Sequence, residues 1–256
     1  MDRGLMYGDG VFRTLRARDG VLLHWRRHYQ KLQADCAALN IACPDEALLA
    51  REARKLCETA TICAVKIIIT RGISARGYAA SLAAEPTRII VCSPLPAFPE
   101  KFFREGVKVR LCDIRLPFQP RLAGVKHLNR LENVLARMEW NDEEIAEGIL
   151  RDAENNVIEG TASNLFLVKQ EMLYTPDLSR CGVAGVQRER VMDFAAKLGM
   201  PLKIQPLSLQ RLMEADEIML CNSLIGVWQV NELNGKTWKR GKITAIFKEF
   251  DGSSDD

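Results

Sequence analysis

The sequence predicts a mixed α/β chain of α+β character in two domains, on three observations. Runs rich in valine and isoleucine, bounded by glycine, proline or polar residues, read as strands; AVKIIITRG and TRIIVCS are examples. Apolar residues at alternating steps of four and three, as in Trp25, Tyr29, Leu32, Cys36 and Leu39, read as one buried helical face. RLPFQPRLAG carries two prolines and a glycine between the two halves and reads as a connector. At 256 residues the chain can form one large or two medium domains, each burying its own core.

Taken in order, VFRTLRARDGVLL reads as two strands around Asp19-Gly20, a dipeptide that supplies the positive φ angles of a tight hairpin. The helix through Trp25 follows, and a second helix begins at PDEALLAREARKLCE with Pro44 and Asp45 at its start. After AVKIIITRG and TRIIVCS, a further strand at GVKVRLCDI closes a first α+β domain over 1–114. The connector takes 115–123, and a second domain runs over 124–250. That domain opens on GVKHLNRLENVLARMEW, where Leu128, Leu131, Val134, Leu135 and Met138 mark a helix buried along one side. Strands are expected at EGILRD, SNLFLV and EMLYTP, then a helix at VQRERVMDFAAKLGM that glycine stops. LKIQP reads as a strand, Ser208 starts a short helix, and EIMLCN and VWQVNEL read as strands. The tail DGSSDD, 251–256, is expected to be disordered.

Composition narrows the function. A hydrophobic share of 47% and a charged share of 27% are ordinary for a folded chain. Lysine and arginine exceed the acids by only three and are dispersed, so a nucleic-acid partner is not indicated. No run approaches the roughly 18 apolar residues of a membrane helix, and no basic segment precedes an apolar signal core, which points to the cytoplasm. The eight cysteines are scattered with no CxxC pair, so reduced thiols are expected and neither zinc nor disulfides are assigned.

Three local features could carry chemistry. Lys126 stands between apolar flanks at an expected helix start, where the helix dipole is positive; both conditions disfavour the charged amine and favour a nucleophile. A lone lysine there is otherwise a solvated charge. In VIEGTASNLFLV, Glu159 precedes a glycine, small residues and an apolar strand; such a carboxylate suits a pyridinium nitrogen, although Glu-Gly is also a common turn. CGVAGVQRERV leads glycines into a helix, whose first amides can hold a phosphate or simply punctuate the helix. An amine for an aldehyde, an acid for a ring nitrogen and amides for a phosphate together describe pyridoxal 5'-phosphate.

The motifs GDGVF, TRG with RGY, KHLNRLENVLA, EGTASNLF, GVAGV and CNSLIGV stand in the order and approximate spacing of the fold-type IV pyridoxal phosphate enzymes, which the chain resembles over almost its whole length. This is the group of branched-chain and D-amino acid aminotransferases. Within it the likeness is greatest to the aminodeoxychorismate lyases, which similarly carry KHLNR and RGY, whereas branched-chain aminotransferases typically put tyrosine where Arg130 stands. The resemblance implies two α/β domains with the cofactor between them, and a homodimer.

It also implies roles. Lys126 matches the lysine that bonds the cofactor aldehyde and moves the proton, and Glu159 the acid facing the pyridine nitrogen. Val186 and Gln187 match the phosphate-binding helix start, with Asn222 and Ser223 a second phosphate turn. Arg76 lies where relatives have a substrate-carboxylate arginine, with Tyr78 beside it; Arg130 and Asn164 are further substrate-side candidates. No metal is implied. The implied reaction converts 4-amino-4-deoxychorismate to 4-aminobenzoate and pyruvate, on the route to folate. Its rivals are a D- or branched-chain amino acid aminotransferase, which uses the same lysine and cofactor, and a non-catalytic member that binds cofactor or a partner.

Two departures stand out. Relatives have arginine three residues after a histidine to grip the phosphate, where HYQKL offers His28 and Lys31. Lysine keeps the charge and loses the bidentate fork, so weaker or differently shaped anchoring is expected unless Arg26 or Arg27 compensates. The start MDRGLMYGDG also lies where relatives have completed a first strand, and a missing strand would expose a sheet edge.

Overall fold

The computed structural model of the chain describes residues 1–81 and 84–251. Beyond Asp251, the tail expected to be disordered lies outside the described residues. The chain forms two compact units: Met1–Pro96 with Val125–Arg130, and Ala97–Gly124 with the chain from Leu131 onward.

The first unit contains α1 (Arg3–Tyr7), β1 (Gly10–Arg18), β2 (Val21–Leu22), α2 (Trp25–Ala38), α3 (Glu46–Cys57), β3 (Ile62–Thr70) and β4 (Thr87–Ser93). Asp19 (φ 49°) and Gly20 (φ 77°) make the expected hairpin turn, with Ala17 opposite Leu22 and Arg18 opposite Val21. The sheet order is β2-β1-β3-β4, and β1 pairs antiparallel with β3 from Gly10↔Thr70 to Arg18↔Ile62. Period-two alternation turns Val11, Leu15 and Ala17 inward on β1, where with Val65, Ile67 and Ile69 of β3 they form one core with Leu32 and Cys36 of α2 and Leu49 and Ala53 of α3. Each fully buried leucine of this kind contributes about 2–5 kcal/mol relative to alanine. Asp45 caps α3 by accepting from the Leu48 amide at 3.0 Å, and Glu46 in the first turn with Arg54 and Lys55 in the last complement the helix dipole.

The second unit contains α4 (Glu100–Arg104), β5 (Val107–Leu116), α5 (Leu131–Arg137), β6 (Ile145–Asp152), β7 (Asn156–Gly160), β8 (Asn164–Lys169), β9 (Met172–Pro176), α6 (Val186–Lys197), β10 (Leu202–Gln205), β11 (Leu207–Ser208), α7 (Leu209–Met213), β12 (Glu217–Asn222), β13 (Gly226–Leu233), β14 (Lys236–Thr237) and α8 (Lys242–Asp251). Its ten-stranded mixed sheet runs β10-β9-β8-β12-β13-β5-β6-β7-β11, with β14 on β13. Leu165, Leu167, Ile218 and Leu220 bury into one core with Trp228 and Leu212; Phe166, Val168, Met219 and Cys221 bury into another with Val191 of α6 and Phe247 of α8. A sheet covered on both faces explains why NLFLV and IMLC read as unbroken apolar runs.

The structure departs from the sequence reading in several places. GVKVRLCDI, grouped by sequence with the first domain, is β5 and pairs parallel with β6 and β13 inside the second unit. Residues 125–130, expected to open the second domain, belong with the first unit, because they bridge to β1: Phe12 N–H donates to Lys126 O at 2.9 Å and Leu128 N–H to Gly10 O at 3.0 Å. Those extended backbone pairs are also why no helix begins at Lys126. Helix α5 starts only at Leu131, and the face expected to be buried is open: Leu131 is 72% exposed, Val134 51%, Leu135 52% and Met138 71%. Periodicity reveals an apolar stripe but not what covers it. The short helices α1 and α4 and the helix α8 carried no sequence expectation.

Candidate active site

The implied site residues fall in both units. In the first, Lys126 follows the buried Val125 on the segment that bridges β1, and its Nζ lies 4.7 Å from the centre of the Phe12 ring. The helix dipole invoked for Lys126 acts five residues away, and β1 takes its place as the neighbour. Lys126 N–H donates to Asp35 Oδ2 at 3.3 Å.

Asp35, on α2 and 1% exposed, also pairs with Arg13 of β1 and with Lys31, whose Nζ is 2.5 Å from Oδ1. A buried carboxylate held by two cations and an amide is a stable arrangement, and removing one partner would leave charge uncompensated. Lys31 thus keeps its charge beside Asp35, one helical turn away. Sequence reasoning passed over Asp35, although His28, Leu32, Asp35 and Cys36 share the buried face of α2 and an acid on such a face is the signal.

Arg76 and Tyr78 sit on the loop after β3; Arg76 is exposed, and Tyr78 is 87% exposed. Arg130 folds back on its own segment, with Nε donating to His127 O at 3.0 Å and one terminal nitrogen to Val125 O at 2.7 Å. His127 is half-buried, and its Nδ1 is buried with no hydrogen-bond partner among the described residues. Burial, and then the Arg130 charge, push its pKa from 6.5 down to about 4. Between those values the unfolded chain binds a proton that the folded chain refuses. The stability contributed by the neutral ring is therefore fully present above pH 6.5 and is lost as pH falls toward about 4. We expect the urea midpoint to drop across that window, and to drop less in His127→Asn; parallel profiles would refute the assignment.

In the second unit, Glu159 lies within β7, opposite Leu150, where the sequence reading put the strand after it. It is 3% exposed, and its Oε2 accepts from the Val183 amide at 2.8 Å. Nearby, burial and then Asp152 and Glu159 push the Cys181 thiol up to about 12, so that sulfur is no nucleophile near neutral pH.

Asn164, expected on the substrate side, spends its amide on backbone. Its Nδ2 donates to Val183 O at 2.7 Å and its Oδ1 accepts from Gly185 N–H at 3.1 Å. A Cβ on Gly185 would come within 2.4 Å of that oxygen, so glycine is required where the loop enters α6. Gly185 is the N-cap of this 12-residue helix, and no side chain caps it. The helix start at Val186 and Gln187 therefore has the form of an anion site. Asn222 turns the chain after β12, its Oδ1 accepting from Leu224 N–H at 2.8 Å and Ile225 N–H at 2.9 Å, with Ser223 in the turn.

Beneath Glu159 lies a second acid that sequence reasoning did not single out. Glu147 of β6, 6% exposed, accepts from Gly148 N–H at 3.0 Å, Thr161 N–H at 3.1 Å, Ala162 N–H at 3.2 Å, Ser163 Oγ at 2.9 Å and the Thr161 hydroxyl. It clamps the turn that joins Glu159 to Asn164. Glu147→Ala would strand these donors and should cost about 3 kcal/mol or more in urea unfolding, with Glu147→Gln milder because it keeps one acceptor oxygen. A loss under about 1 kcal/mol in the alanine variant would contradict the clamp.

These residues fit pyridoxal phosphate chemically: a buried carboxylate with its position fixed, an uncapped helix start for an anion, and a lysine beside an aromatic ring. All eight cysteines are free thiols, and no group of acids, cysteines and histidines able to hold a metal occurs among the described residues.

Comparison with known proteins agrees with this arrangement. The family model described as amino-transferase class IV matches residues 10–233. An aminodeoxychorismate lyase of Vibrio harveyi is 37% identical over 91% of this chain and 86% of its own length. A putative branched-chain-amino-acid aminotransferase of Methanocaldococcus jannaschii is 30% identical over 97% and 88%. Among solved structures, 4-amino-4-deoxychorismate lyase from Pseudomonas aeruginosa superposes with a TM-score of 0.93 at 45% identity, covering 97% of this chain and 92% of that one. The Escherichia coli branched-chain amino acid aminotransferase, 22% identical with a TM-score of 0.89 over 99% and 88%, shares the fold.

Proposed function

The chain belongs to the amino-transferase class IV family, and we propose that it is a pyridoxal 5'-phosphate-dependent lyase converting 4-amino-4-deoxychorismate to 4-aminobenzoate and pyruvate. The carrying observation is its likeness, at 37% and 45% identity over nearly its whole length, to two proteins named for that activity. Retention of Lys126 and a buried Glu159 supports a catalytic member over a binding one.

When bound, the cofactor supplies an aldehyde that condenses with amines and a protonated ring that accepts electrons. Lys126 would hold the aldehyde through Nζ and, once the substrate amine displaces it, take the proton from the adjoining carbon. Glu159, ionised, would keep the proton on the ring nitrogen. The amides at Val186 and Gln187 and the turn at Asn222 and Ser223 would hold the phosphate, with Lys31 adding charge. Arg76 with Tyr78, and Arg130, would take the two substrate carboxylates. Departure of the enolpyruvyl group is drawn forward because it leaves an aromatic ring.

The direct test supplies substrate from a coupled synthase and measures 4-aminobenzoate. Turnover is expected there and not with D-alanine plus pyruvate or leucine plus 2-oxoglutarate. Rapid transamination without 4-aminobenzoate would replace the lyase with an aminotransferase.

We further propose a homodimer. A second copy would cover the exposed Leu131, Val134, Leu135 and Met138 of α5, which water otherwise meets at a hydrophobic cost. Sedimentation of a single-mass monomer at micromolar concentration would reject it. No helix among the described residues is long and apolar enough to cross a membrane. The compartment we propose is the cytoplasm, which suits eight free thiols.

A further inference from the structure

We propose that Arg3 is a positioning residue for substrate recognition, acting through the loop that presents Arg76 and Tyr78. The inference rests on the reading that this loop receives a substrate carboxylate.

Arg3 is a long cation only 3% exposed, and every direction of its guanidinium is used. Nε donates to Asp9 Oδ2 at 2.8 Å. One terminal nitrogen donates to Ser74 Oγ at 3.1 Å and to Gly77 O at 2.8 Å, and the other to Tyr78 O at 3.2 Å. Three of these four bonds fall on residues that flank Arg76. Tyr7, at the far end of α1, adds a fourth tie, since Gly77 N–H donates to its hydroxyl at 3.1 Å. The Tyr7 ring lies 5.4 Å from that of Tyr78 and receives the Arg3 guanidinium on its face at 4.9 Å.

The anchor of this network is itself fixed. Asp9 accepts from Arg71 Nε at 2.8 Å and from another Arg71 nitrogen at 3.0 Å, while Arg71 reaches Leu39 O and Asn40 O after α2. Burial alone would raise the Asp9 carboxyl, but hydrogen bonds and charge from Arg71 and Arg3 outweigh it and hold Asp9 below the usual carboxylate range. It stays ionised and keeps both cations in register.

The loop needs such a frame. Gly72 and Gly77 both have positive φ, at 87° and 106°, and the loop forms no regular strand or helix. Arg76 and Tyr78 are exposed, so their own packing does not hold them. A carboxylate-binding arginine on a freely moving loop would lose affinity to the entropy of ordering it, which a frame removes in advance.

The test compares the unmodified holoenzyme with Arg3→Met and Tyr7→Phe. Both variants should speed amide exchange at Gly77 and Tyr78. Arg3→Met should raise KM for aminodeoxychorismate about tenfold with kcat held within about twofold, the pattern of lost binding shared by ground and transition states. Tyr7→Phe removes one acceptor and should shift KM in the same direction by less, which keeps the test decisive if Arg3→Met folds poorly. Unchanged exchange in both variants, or a fall in kcat at constant KM, would overturn the inference. An unmodified chain that forms no 4-aminobenzoate would sink the lyase reading instead, and amide exchange would then decide the role of Arg3 alone.

Discussion

Lys126→Ala is expected to reduce 4-aminobenzoate formation by at least about 10³-fold, because one side chain serves both as the cofactor's covalent anchor and as the base, and each role is worth orders of magnitude. Visible absorbance of the purified protein should disappear or move in parallel. Stability should change little, since Lys126 holds its place through backbone: its carbonyl accepts from Phe12 N–H and its amide donates to Asp35, both of which survive in alanine. A variant that keeps more than about a tenth of the activity would remove Lys126 from the chemistry.

Glu159→Gln is expected to lower kcat on the order of 10²-fold with a smaller change in KM. Glutamine matches the shape, and its side-chain oxygen can still accept from the Val183 amide that now meets Glu159 at 2.8 Å. What it lacks is negative charge. In a position 3% exposed, water cannot replace that charge, so the ring-nitrogen proton would lose its stabilising partner. Glu159→Asp keeps the charge on a shorter arm and should recover part of the rate. Equal activity in Glu159→Gln would mean that the carboxylate is structural, serving only to hold Val183.

Lys31 illustrates how far a motif can be read. The sequence identified it as the position where relatives have a phosphate-gripping arginine, and predicted altered anchoring from the lost fork. It could not indicate that Asp35, four residues on, would engage the ammonium while also receiving Arg13 and the Lys126 amide. Asn164 is similar: its motif suggested a cavity residue, whereas both ends of its amide secure the loop at Val183 and Gly185. Glu147 was hidden for the opposite reason. It sits inside a strand-like run, and an acid at an inward position draws no notice until the donors around it are known.

The sequence by itself determined what local interactions decide. Asp19-Gly20 makes its hairpin, Asp45 caps its helix, and the apolar alternation of β1 and the steps of α2 select the faces that bury. Motifs in a fixed order also carried the family. Only the tertiary structure decided that β5 joins the larger sheet, that the apolar stripe of α5 stays open, and that Asp35 meets Lys126 across 91 positions of chain. Those outcomes depend on which distant segments compete for the same backbone bonds and the same buried charge, and a pattern read over ten or fifteen neighbouring residues contains no term for that competition.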